Sequence, residues 1–103
     1  MDNKIKIDNN IVISRLHFLI NQTYKTLPLR EEGKDWKTHL DAVFEEIIGF
    51  RELLGTNYDN YFVPILCKIK GLYSFQKDED FSLFRKTILD CLNLFERLCE
   101  NVS

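Results

Sequence analysis

The chain is predicted to be all-α, folding as a single-domain, antiparallel up-down four-helix bundle. Three observations predict this. Apolar residues recur at three- and four-residue steps in four separate stretches, the period of a helix with one buried face. Only 4 Gly and 2 Pro interrupt the 103 residues, too few for the many turns of an all-β fold. The polar breaks between the stretches are short, so helices adjacent in sequence must lie side by side. With 45% hydrophobic and 29% charged residues, the chain has the balance of a globular protein, and its length suits one core rather than two.

Residues 1–9 read as a loosely ordered tail in which Ile5 and Ile7 alternate with Lys4, Lys6 and Asp8, too briefly to make a strand. Asn9 or Asn10 is competent to cap a first helix near 10–27. Val12, Leu16, Leu19, Thr23 and Leu27 form its stripe, with Ile13, Ile20 and Tyr24 beside them. Pro28 is expected to end it, because the residue before proline is pushed out of the helical region. A loop hinged at Gly33 follows.

Asp35 caps a second helix near 35–54, where Trp36, Leu40, Val43, Phe44, Ile47, Ile48 and Leu54 share a face. Gly55 stands where a C-terminal cap with positive φ is expected. Lys37 and Asp41, four residues apart, are placed to pair on its surface. The third helix is expected near 59–75, capped by Asn57, Asp59 or Asn60, with Pro64 close enough to its start to be tolerated. Phe62, Ile65, Leu66, Ile69, Leu72 and Tyr73 form its inner side. After a polar loop, Asp80 opens the fourth helix near 80–100, in which Phe84, Ile88, Cys91, Phe95 and Leu98 step as in an antiparallel bundle. Asn101 to Ser103 are expected to fray.

Composition also excludes. The net charge of −2 gives no basic surplus for phosphate contacts, and Lys68, Lys70, Arg85 and Lys86 are scattered, so a nucleic-acid-associated subunit is the secondary reading. No apolar run is long enough to span a bilayer, and membrane binding is not expected. Cys67, Cys91 and Cys99 are odd in number and no secretory leader is visible, which points to reduced thiols and a cytoplasmic protein.

No catalytic, cofactor or metal site is expected, and a helical ligand-binding or enzymatic bundle whose site no motif reveals is a further alternative reading. Neither His17 nor His39 follows a glutamate at the spacing of a di-iron bundle, and Cys91 and Cys99 lie about 12 Å apart along one helix, too far to share a metal alone. The Arg-to-His spacing of HEPN-type nucleases fails for Arg15 with His17 and for Arg30 with His39. The His-x-x-Lys-Gly core of histidine phosphotransfer bundles fails at His39, which Leu40, Asp41 and Ala42 follow. Glu31 with Glu32 and Glu45 with Glu46 read as solvated surface pairs rather than an acid–base couple.

What remains are residues that fit a bare bundle poorly. Ile11 and Phe18 fall on the side of the first helix opposite its stripe, either as a partner contact or as a patch covered by Ile5 and Ile7. Leu83 and Leu94 widen the apolar arc of the fourth helix, which therefore sits centrally in the bundle or meets another chain. Arg51 lies in line with Phe44, Ile47 and Leu54, where its head is expected to reach out to water or, as the alternative, to form an ion pair within the protein or with a partner's carboxylate. Tyr61 and Phe75 point away from the inner side of the third helix. These seven residues are the candidate partner contacts, and they point to a small non-enzymatic protein that binds another protein or itself.

Overall fold

Residues 8–102 are described by the computed structural model. Ile5 and Ile7 lie outside them. Asp8 has extended backbone and accepts a hydrogen bond from the Asn10 amide at 2.8 Å, which caps helix α1, Asn9–Glu31, one residue earlier than the sequence suggested. The expected stop at Pro28 does not occur. Proline forfeits only the bond to the carbonyl four residues back, that of Tyr24, which lies on the exposed side of the helix where solvent serves that oxygen. The added turn brings Leu29 and Arg30 onto the bundle. It closes with Gly33 at φ 70°, its amide bonded to the Arg30 carbonyl at 3.0 Å and the Lys34 amide to that of Leu29 at 2.9 Å. That pair of bonds is a Schellman ending, which needs a left-handed residue at Gly33.

Helix α2, Trp36–Leu54, starts as its sequence predicts: Asp35 accepts from the Thr38 amide at 3.1 Å and from the Thr38 hydroxyl at 2.6 Å. It stops at Gly55, whose φ of 78° and ψ of −166° belong to a region open essentially to glycine alone. A 3₁₀ turn, Thr56–Tyr58, leads into α3, Asp59–Leu72. Pro64 sits past the first turn, and the bond it forfeits falls on Asn60, which is exposed. The helix ends before Tyr73 to Phe75, because the Ser74 and Phe75 amides turn back to Gly71 and Leu72 at 3.1 and 3.0 Å. A second 3₁₀ turn, Asp78–Asp80, precedes α4, Phe81–Val102. The expected fraying from Asn101 is not seen: Val102 is 7% exposed, and its carbonyl accepts from the Asn9 side-chain amide at 3.2 Å. Ser103 lies outside the described residues.

The four helices form one all-α bundle, with no strand among the described residues. Each helix packs against two others, α1 and α3 both lying between α2 and α4. Phe84, Ile88, Cys91, Phe95 and Leu98 of α4 are all fully buried, as their spacing predicts. Of the residues that widen that helix's apolar arc, Leu94 packs partly buried against the core, whereas Leu83 stays 52% exposed. Phe50, which the stripe of α2 did not include, is also buried and meets Phe62 edge-on at 6.3 Å. At the other end Trp36 meets Phe84 edge-on at 5.0 Å.

Gly71 lies inside α3, and a Cβ added there meets nothing within 4 Å. Gly71→Ala is therefore expected to stabilise the protein by about 1 kcal/mol, raising the thermal midpoint by about 4–8 °C for a domain of this size. Gly33→Ala, at positive φ, is expected to lower it. Thermal unfolding followed by circular dichroism distinguishes the two.

Candidate interaction surface

The outer face between α1 and α2 carries three adjoining shallow depressions, which share Arg15, Phe18, Ala42 and Glu46 and together form a groove. Because α1 and α2 run antiparallel, Ile11 at the start of one lies near the level of Leu53 at the end of the other. Asn10, Ile11, Ser14, Arg15 and Phe18 line its α1 side. Ala42, Glu45, Glu46, Gly49 and Leu53 line its α2 side. At its far end Phe18 adjoins Gln22 and His39. The apolar residues in it are well exposed, with Ile11 at 63%, Phe18 at 40% and Leu53 at 64%.

Arg15 crosses this groove. Its guanidinium lies over the Phe18 ring, 4.7 Å from the centroid, and pairs with Glu46. The ion pair joins α1 to α2 at the surface, where such pairs add little stability but do set where side chains lie. His39 is half-buried, and its Nε2 donates to the Gln22 carbonyl at 2.7 Å, which fixes the ring as a wall of the groove. Gly49 leaves a gap in the α2 side, since an added Cβ meets nothing within 4 Å.

The remaining candidate contacts do not join this groove. Tyr61, Phe75 and Leu94 are partly buried and pack against the core from the α3–α4 side. Leu83 is 52% exposed on α4, away from Ile11 and Phe18. Lys68 reaches Asp90 at 3.8 Å beside Asn93, Leu94 and Arg97, so the lysine foremost in the nucleic-acid reading already faces a carboxylate.

Arg51 takes the ion-paired alternative. It does not run out to water alone: its Nε and Nη2 donate to the two carboxylate oxygens of Asp59, each at 2.7 Å, with side chains 34% and 27% exposed. Asp59 opens α3, so this fork joins the end of α2 to the start of α3. The bonds from Arg51 hold the Asp59 carboxyl below the ordinary aspartate range. The same bonds raise the Arg51 guanidinium. Lys37 and Asp41 likewise have other partners. Lys37 donates to the Gln76 side-chain oxygen at 2.5 Å, and Asp41 accepts from the Tyr73 hydroxyl. Burial, followed by that carboxylate, pushes the Tyr73 phenol up.

Two features were missed by sequence reasoning. Leu53 falls off the inner stripe of α2 toward α1, a position that the 3.6-residue period of that helix already gives. Arg30 had no signal at all. Its guanidinium nests among Phe84, Phe81 and Trp36, at 4.4, 5.3 and 5.8 Å from their centroids, and Nη2 donates to the Lys77 carbonyl at 2.7 Å. Those partners come from three separate stretches of chain.

Among the described residues no group of three metal-ligating side chains comes together, and no helix is long and apolar enough to cross a membrane. His17 is exposed. Compared with protein-family models, with curated proteins and with solved structures, the chain gives no significant match. The functional reading therefore rests on the chemistry of this surface.

Two outcomes follow from the site's titratable groups. Asp59 is held low when folded, so its stabilising contribution is complete above the unfolded aspartate value of about 3.9 and is lost as pH falls through the depressed folded value. Asp59→Asn is expected to flatten the loss of stability below about pH 4, read from urea midpoints at a series of pH values. Cys67 is exposed, whereas burial pushes the Cys91 thiol up to about 12. A thiol-specific dye at neutral pH should label Cys67 rapidly and Cys91 only at the rate of unfolding.

Proposed function

We propose that this protein acts by binding another polypeptide, and that the α1–α2 groove is the contact surface. The observation that carries the reading is the gathering of Ile11, Phe18 and Leu53, all well exposed, along one groove. Scattered exposed apolar residues are ordinary; a contiguous row with a charged rim is what a binding face looks like. The seating of Arg15 over Phe18 supports it, since that contact pre-orders an aromatic side chain at no cost on binding. Tyr61, Phe75 and Leu94, by contrast, are partly buried against the core.

A photo-crosslinking residue in place of Leu53 tests the reading in cells that make the protein. A discrete adduct to a second polypeptide is expected from this position, lost on adding Phe18→Glu, and not formed from position 83. No adduct from position 53, or one that survives Phe18→Glu, would remove the groove as the contact surface. An adduct of twice the chain's mass would replace the proposal with self-association.

A further inference from the structure

The size, walls and charge of the groove narrow what it binds. Three side chains exposed to this degree amount to a few hundred Å² of apolar surface, the scale of the largest patch on an ordinary monomer. A standard dimer buries about 800 Å² on each partner, more apolar than average when the partners are identical. The groove is too small for a second copy of this chain and suits a short segment.

Both walls are helices, whose backbone donors and acceptors are spent within the helix. They offer no edge to which an extended strand could pair. A segment lying here must satisfy its own backbone, and an α-helix does so. From Ala42 to Leu53 the α2 wall is about 16 Å long at 1.5 Å per residue, which matches three turns of an occupant. The gap at Gly49 lies along that wall and lets a second helix approach the α2 backbone closely. In the chain alone, glycine at this mid-helix position costs stability relative to alanine.

Charge sets the orientation. On the α1 side the polar residues are Asn10 and Ser14, both neutral, with Arg15 committed to Glu46. On the α2 side stand Glu45 and Glu46, and no ion pair reaches Glu45 among the described residues. With Glu46 paired to Arg15, the uncompensated charge on the α2 rim among the described residues is that of Glu45.

We infer that the α1–α2 groove takes a short amphipathic α-helix of another polypeptide, about three turns long, with apolar anchors toward Ile11, Phe18 and Leu53 and a basic edge along Glu45. The inference rests on the proposed function and adds to it the conformation and charge of the partner segment.

The test titrates the full ¹⁵N-labelled chain with three synthetic peptides of equal length. One is a side-chain-stapled amphipathic helix with Leu anchors and a Lys edge; the second carries Glu at the edge; the third keeps the Lys edge but has a central Pro and no staple. Saturable shifts of the amides of 11–18 and 42–53 are expected with the first peptide. About tenfold weaker binding is expected with each of the other two. Gly49→Leu and Leu53→Asp should each abolish the shifts while circular dichroism stays unchanged, because both positions are open to solvent. Glu45→Lys should reverse the preference between the first two peptides. Equal binding of the Lys- and Glu-edged helices, equal binding of the Pro-broken peptide, shifts mapping to another face, or none at millimolar peptide would each overturn the inference. Those results leave the crosslink from position 53 intact if only the partner's chemistry is wrong, and coincide with its absence if the groove itself is not a binding face.

Discussion

Helix α4 cannot be buried by one neighbour. Its apolar arc is too broad, and Phe84, Ile88, Cys91, Phe95 and Leu98 reach full burial only because α1 covers one flank and α3 the other. That requirement sets the rest of the structure. It forces α1 to lie beside α4, far away in sequence, and so closes the helices into a ring. It also explains why α1 runs through Pro28 and why the Asn9 side chain meets the Val102 carbonyl. A first helix that stopped at Leu27 would leave the start of α4 uncovered.

Three arginines show how the same side chain is settled in three ways. Arg51 pairs through both arms of its fork with Asp59 and so fixes the angle between α2 and α3. Arg15 lies on the surface, bridging α1 to α2 while packing over Phe18. Among the described residues no carboxylate pairs with Arg30; it rests among aromatic faces at the end of the bundle, a contact of about 0.5–2 kcal/mol depending on how far water is excluded. Each cationic head joins segments that the apolar core alone would allow to slide, since hydrophobic contact is not directional.

The same closure leaves the α1–α2 groove uncovered. With α1 and α2 turned inward to meet α4 and α3, the large apolar residues on their outer shoulders stay exposed among the described residues. Ile11, Phe18 and Leu53 occupy those shoulders, while on the α3–α4 side Tyr61, Phe75 and Leu94 are drawn into the edge of the core. On α2, Ala42 is too small to fill the space beside Phe18; on α3 and α4, Val63, Leu83 and Leu89 are likewise left exposed.

By itself the sequence determined the helices, their inner stripes and the caps at Asp35 and Gly55, because these depend on local backbone preferences and on a 3.6-residue period that any reading of the chain exposes. It also marked Ile11 and Phe18 as standing off the core. Tertiary structure alone decided that Pro28 would be overridden, since the burial gained by one more turn outweighs one lost backbone bond. It decided that Arg51 would find Asp59, that Arg30 would find three rings, and that Leu53 would stand opposite Ile11. Those pairings join residues of separate elements, and which side chains meet across an interface depends on the rotation and register of each helix, set only when all four pack at once.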